Sequence, residues 1–150
     1  MNKSFLNYLC VAAIALVGLS CMEDRDNLYK GPTVIEFFPL SATKSVTTTA
    51  TNPATDSLKV QLVGAQQTSP LSLGYEIETA TTTAVEGTHY TLPNKGTFTV
   101  PANSSFGYIY YTVKAGSIAS GTQRVVFVLK GNETILPSEN YKKFTLTLSK

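Results

Sequence analysis

Phe106-Gly107-Tyr108-Ile109-Tyr110-Tyr111-Thr112-Val113 is a run of aromatic and β-branched residues that alternates with period two. Ile109, Tyr111 and Val113 fall on one side of an extended chain, and Phe106, Tyr108 and Tyr110 on the other. Both sides cannot face the same core. The same alternation recurs in both directions. Thr33–Phe38 reads as a first strand, then Leu58, Val60 and Leu62 alternate with Lys59 and Gln61. Leu71, Leu73, Tyr75 and Ile77 alternate with Ser72, Gly74, Glu76 and Glu78, and Phe98 and Val100 with Thr97 and Thr99. Val125, Phe127 and Leu129 follow, and last come Phe144, Leu146 and Leu148. Such patterns mark half-buried antiparallel strands, and no window after residue 32 keeps a helical period. Lys44–Thr49 and Thr88–Leu92 could add short strands. Turn residues separate the runs at Asn52-Pro53, Ser69-Pro70, Pro93-Asn94-Lys95-Gly96, Pro101-Ala102-Asn103, Ser120-Gly121 and Gly131-Asn132. The expected fold is all-β: an immunoglobulin-like antiparallel β-sandwich of about seven to nine strands over residues 33–150.

Composition agrees with one such domain. The chain has 150 residues, 43% of them apolar and 15% charged, enough apolar material for a core without a disulfide. Its net charge is +2 with no long run of either sign, which argues against a nucleic-acid partner. One His, two Cys and no Trp remove most metal cages, disulfide frameworks and Cys/His enzymes. No metal and no cofactor is expected. Thr and Ser together make up 34 residues, as in strand-rich exported proteins.

Residues 1–20 read as a targeting segment. Lys3 supplies a positive start, and Leu6–Leu19 is apolar but too short for a membrane span, which needs about 20 residues. The segment ends in Gly18-Leu19-Ser20-Cys21, which resembles a bacterial lipobox, with Gly18 at the usual leucine place. That resemblance implies cleavage before Cys21 and lipid on its thiol. Each buried lipid CH₂ contributes about 0.8 kcal/mol, so two or three acyl chains hold a protein on a membrane where one does not. Residues 21–32 then form a polar, lipidated tether. Glu23 and Asp24 resemble the export signal that carries lipoproteins of the Bacteroidota to the outer face of the outer membrane, although any solvated acidic linker has the same composition. The expected location is the outer membrane, at the cell surface.

Thr83-Ala84, Gly87 and Tyr90, followed by Phe98-Thr99-Val100-Pro101-Ala102 and an aromatic strand, resemble the Calx-beta family. Val125–Leu129 and Tyr141–Leu148 resemble its last two strands, and the likeness covers about residues 57–149. Family members that bind Ca²⁺ use acidic loop clusters. Here His89 stands at the motif's aspartate, and the acids Glu36, Asp56, Glu76, Glu78, Glu86, Glu133 and Glu139 are scattered. Ca²⁺ takes six to eight oxygens, so a regulatory site is not expected.

Chemistry is sparse. Glu76 and Glu78 lie about 7 Å apart on one strand face, a glycosidase-like spacing, but on a polar face with no pocket to raise either pKa. His89 beside Tyr90 looks structural, and no phosphate loop or nucleophile elbow is present. The chain reads as a non-enzyme with no catalytic residue. Phe106, Tyr108 and Tyr110 form the candidate contact strip for a glycan or a protein partner. The competing reading packs that strip under the Thr-rich 41–57 segment. Asp56-Ser57-Leu58 matches the short pattern of Bacteroidota O-glycosylation, which makes Ser57 a candidate acceptor. The expected role is a binding or accessory lipoprotein, partnered with an outer-membrane glycan or peptide importer. The alternative is a structural or adhesive display module without a ligand.

Overall fold

The computed structural model describes residues 29–47 and 55–150. The targeting segment, Cys21, Glu23 and Asp24 lie outside the described residues. Among the described residues ten strands follow in chain order: β1 (Val34–Phe37), β2 (Ser41–Ser45), β3 (Thr55–Val63), β4 (Leu71–Ile77), β5 (Tyr90–Thr91), β6 (Thr97–Val100), β7 (Phe106–Val113), β8 (Thr122–Gly131), β9 (Leu136–Pro137) and β10 (Lys143–Ser149). They form two five-stranded sheets, ordered β5-β7-β3-β1-β9 and β2-β10-β8-β4-β6. All seven strongly alternating runs are strands.

Two expectations need correction. The strand count exceeds the expected nine, because β9 adds a two-residue pairing that alternation cannot reveal. The sandwich is also not wholly antiparallel. β9 runs parallel to β1, and β2 runs parallel to β10. Both follow from the chain changing sheets between Phe37 and Ser41, which sets β1 and β2 on opposite layers. The expected short strand at Lys44–Thr49 begins earlier, at Ser41, and that at Thr88–Leu92 is reduced to Tyr90–Thr91.

The core lies between the layers, where Ile35, Phe37, Val60, Val125, Phe127 and Leu146 are fully buried. Phe37 and Phe144 pack ring to ring across it at 5.4 Å. β8 is the central strand of its sheet and departs from simple alternation. Val126 and Val128 point away from the core yet are only 6% exposed. Their strand neighbours Glu76, Lys143 and Thr145 flank them, and the Glu76–Lys130 and Glu78–Lys143 pairs carry aliphatic stems at the same level.

Where the second layer meets the first, β6 and β7 come together at Gly107. A Cβ there would sit 2.9 Å from the Thr99 carbonyl oxygen and 2.8 Å from Val100, so only glycine allows the approach. β7 itself keeps the phase that its sequence demands. Ile109 and Tyr111 are 2% and 1% exposed, whereas Phe106, Tyr108 and Tyr110 are 38%, 42% and 47% exposed. Truncating Ile109 to Ala should therefore cost roughly 2–5 kcal/mol as a core cavity. Tyr108→Ala should cost distinctly less, and urea denaturation of the two variants side by side decides which face carries the core.

Candidate functional site

β7 holds the candidate strip because its inward partners fix its rotation. Leu58 and Ile109 are cross-strand neighbours facing the core, so Lys59 and Tyr108, the next pair, face out. The Tyr108 and Tyr110 rings lie 6.4 Å apart, tilted by 36°. Lys59 places its ammonium 5.0 Å from the centre of the Phe106 ring, a cation–π contact that holds the end of the strip. Ser57, Lys59 and Gln61 line the neighbouring strand opposite Tyr110, Tyr108 and Phe106. The result is an aromatic row beside a polar row. Alongside it, a cleft of about 410 Å³ opens between β7 and β6, lined by Asn94, Thr97, Phe98, Thr99, Pro101, Tyr108 and Tyr110. No charged side chain lines this cleft.

A second cleft, of about 540 Å³, was not legible in the sequence. Tyr75, Ile77, Ala84, Tyr90 and Leu92 form its apolar walls, and Glu76 and the Glu86–Lys95 pair, at 2.7 Å, also line it. Its residues come from a strand end and from a loop excursion, so no local pattern announces it. Burial, with the Glu86 charge second, pushes the Tyr90 phenol up to about 12, which leaves it a neutral donor at physiological pH. Burial likewise raises Tyr75, whose hydroxyl donates to the Asn94 carbonyl at 2.7 Å.

The remaining candidates fall elsewhere. Ser57 is the third residue of β3, half-buried and paired with Tyr110. Its neighbour Asp56 is fully engaged. Lys44 forms an ion pair with one carboxylate oxygen, the Tyr111 hydroxyl donates to the same oxygen at 3.3 Å, and the Ser57 N–H donates to the other at 2.7 Å. His89 closes the turn before β5, its Nδ1 accepting the Val85 N–H at 2.8 Å. Glu76 and Glu78 do share a face, but each is held by a different lysine, Lys130 at 2.7 Å and Lys143 at 2.5 Å.

Comparison with solved structures fits this architecture. The chain aligns with the apo-form Calx CBD1 domain at TM-score 0.61 and 17% identity, over 79% of this chain and 97% of that one. The fold is Calx-beta-like. Against the CBD12 tandem of CALX1.2 the TM-score is 0.60 at 17% identity, over 77% of this chain but only 43% of that one. A third likeness, at TM-score 0.53 and 17% identity, covers 73% of this chain and 28% of Bacteroides EndoBT-3987, solved with its Man5GlcNAc product. No family model matches the chain, and no curated protein matches it.

Calcium, which the likeness to Calx-beta domains raises, does not suit these residues. Among the described residues no three His, Cys, Asp or Glu side chains come together. Asp56, Glu76, Glu78, Glu86 and Glu139 each pair with a lysine instead. A cation would have to displace those lysines one by one. Chelation should therefore leave the melting temperature unmoved, whereas a site held at about 100 times its Kd would contribute about 2.7 kcal/mol. A large drop in EDTA would overturn this reading.

The Asp56 cluster makes a second prediction. Its hydrogen bond with Lys44 holds the Asp56 carboxyl below the usual carboxylate range, against the opposing effect of burial. A carboxylate depressed in the folded state contributes stability above its unfolded value, about 3.9, and loses it as pH falls through the folded value. Asp56→Asn should be less stable than the parent by on the order of 1 kcal/mol at pH 7. The gap should narrow as the pH falls below about 4, read by urea titration at each pH.

Proposed function

We propose that this chain is a lipid-anchored, non-catalytic binding module of the outer membrane, displayed at the cell surface. It holds a glycan or a partner protein, such as an outer-membrane importer, against the Phe106–Tyr110 strip. The observation that carries the reading is the strip itself: three aromatic side chains in a row, each more than a third exposed, on a strand whose other face is core. Adjacent exposed rings beside a cleft form the type of surface that ligands cover, and tyrosine offers a rigid apolar face with a hydrogen-bonding tip. The polar row of Ser57, Lys59 and Gln61 supplies donors and acceptors at the margin.

A catalytic role finds no support in the arrangement of the acids and the histidine. Glu76 and Glu78 are tied into separate ion pairs, and the Nδ1 of His89 is spent on its own turn. The likeness to part of EndoBT-3987 supports a place for this fold beside glycan chemistry, without assigning that chemistry to this chain. Anchoring rests on the sequence Gly18-Leu19-Ser20-Cys21 and surface display on Glu23 and Asp24.

Two measurements test the proposal. Protein extracted from membranes should show an intact mass lacking residues 1–20 and carrying added acyl mass, and a full-length chain with a free Cys21 thiol would sink the anchor. On a glycan array, the parent domain should retain ligands that the Tyr108→Ala and Tyr110→Ala variants release. Loss of roughly 1–3 kcal/mol of affinity per ring corresponds to a weakening of about 5- to 150-fold.

A further inference from the structure

We infer that the open edge of β7, at Tyr108 and Tyr110, takes up an extended, uncharged peptide segment of a partner protein as an added strand. This inference rests on the reading of that surface as a binding face, and it names the class of partner.

The edge is defined by hydrogen-bond phase. The Leu62 N–H donates to the Ser105 carbonyl at 2.8 Å, in the same register that pairs Val60 with Gly107 and Leu58 with Ile109. In an antiparallel ladder such pairs alternate with non-bonded ones. The main-chain groups of Ser105, Gly107, Ile109 and Tyr111 therefore turn toward β3. Those of Phe106, Tyr108, Tyr110 and Thr112 turn the other way.

Two of these four are already satisfied. Thr112 pairs with Thr91 of β5, and Ser104 Oγ accepts the Phe106 N–H and donates to its carbonyl, both at 3.0 Å. Between them β5 stops short. Its register would bring Pro93 opposite Tyr110, and proline has no N–H to give. Tyr108 and Tyr110 are left without a ladder partner.

Across the cleft the second sheet repeats the pattern. The Tyr75 N–H donates to the Gly96 carbonyl at 3.0 Å, in register with the Leu73–Phe98 pair, so Thr97 and Thr99 turn outward. The two open edges meet at Gly107 and line the cleft of about 410 Å³. A strand is the ligand that matches alternating donors and acceptors along such an edge. Because the lining holds no charge to pair with one on the ligand, an uncharged segment is the best match. The far edges differ: β2 carries Lys44 and β9 carries Pro137, both residue types that discourage strand addition. Pro101 closes the end of β6 and lines the cleft, but no such residue stands within β6 itself, nor at Tyr108–Tyr110 of β7.

The test uses amide hydrogen exchange read by NMR on the domain. In the free protein the Tyr108 and Tyr110 amides should exchange at least about 100-fold faster than those of Ile109 and Tyr111. The probes are acetylated, amidated pentapeptides in which Val, Ile, Tyr or Phe alternates with Thr or Ser. At about 1 mM, the better of them should slow the Tyr108 and Tyr110 amides at least tenfold. Methylating the peptide nitrogens that face the edge should abolish the effect, while methylating those on the opposite side should not. Equal protection of all four amides in the free protein, or no slowing by any peptide, overturns the proposal. So does protection that survives methylation of the nitrogens that face the edge. A blank glycan array with peptide protection would remove the glycan arm of the functional reading and leave this inference standing. Glycan binding without peptide protection would do the reverse.

Discussion

Burial of Ile109 and Tyr111 fixes the rotation of β7, and the surface chemistry of one side of the molecule follows from that rotation. Side-chain direction and main-chain hydrogen-bond direction both alternate with period two along an antiparallel strand. Once the odd-numbered residues commit to the core and to β3, the even-numbered ones present outward rings and outward amides together. Tyr108 and Tyr110 are thus doubly available. A one-residue slip of β7 would bury both tyrosines and expose Ile109 and Tyr111, so the core protects the binding face from rearrangement.

Much of this was readable in the sequence because strand alternation reports burial on one face. The seven regular runs, the inward set of β7 and the outward tyrosines all followed from it. What failed to show was whatever depends on pairing rather than on patterning. β2 and β9 are held as parallel partners of β10 and β1, and their own residues, such as Ser41-Ala42-Thr43-Lys44-Ser45, carry little apolar signal. Val126 and Val128 break the alternation of their strand, since both are nearly buried although they point away from the core. Asp56 is a poor strand former, yet it enters β3 with Thr55 through pairing with Tyr111 and Thr112, which sets Ser57 inside the strand. The strip was legible as a candidate, whereas the clefts were not, since each joins segments brought together only by the layers.

Charge is distributed to match a domain that stands on apolar burial. The carboxylates of Asp56, Glu76, Glu78, Glu86 and Glu139 are neutralised pairwise by lysines, four of them on solvated faces where each pair is worth at most about 1 kcal/mol. Pairing of this type disperses negative charge, the opposite of what a divalent cation needs. His89 at the motif's aspartate fits the same pattern. Its ring nitrogen accepts the Val85 N–H, so the turn before β5 is closed by an imidazole, with no carboxylate to offer a metal.

The Asp56 pair differs from the others in position, and that difference separates the two lateral sides of the sandwich. Asp56 belongs to β3 in one sheet and Lys44 to β2 in the other, and the buried Tyr111 hydroxyl joins them. Ion pair and hydrogen bond together clasp the two layers on that side. On the other side the layers touch at Gly107, where missing side-chain volume lets β6 and β7 meet, and then diverge around the uncharged cleft. The clasp is built from side chains, whereas the pinch built from a glycine leaves the adjoining edges of β6 and β7 unpaired. The asymmetry places any strand-like ligand at β6 and β7, next to the exposed tyrosines. Main-chain pairing and ring contact would then act on the same ligand at once.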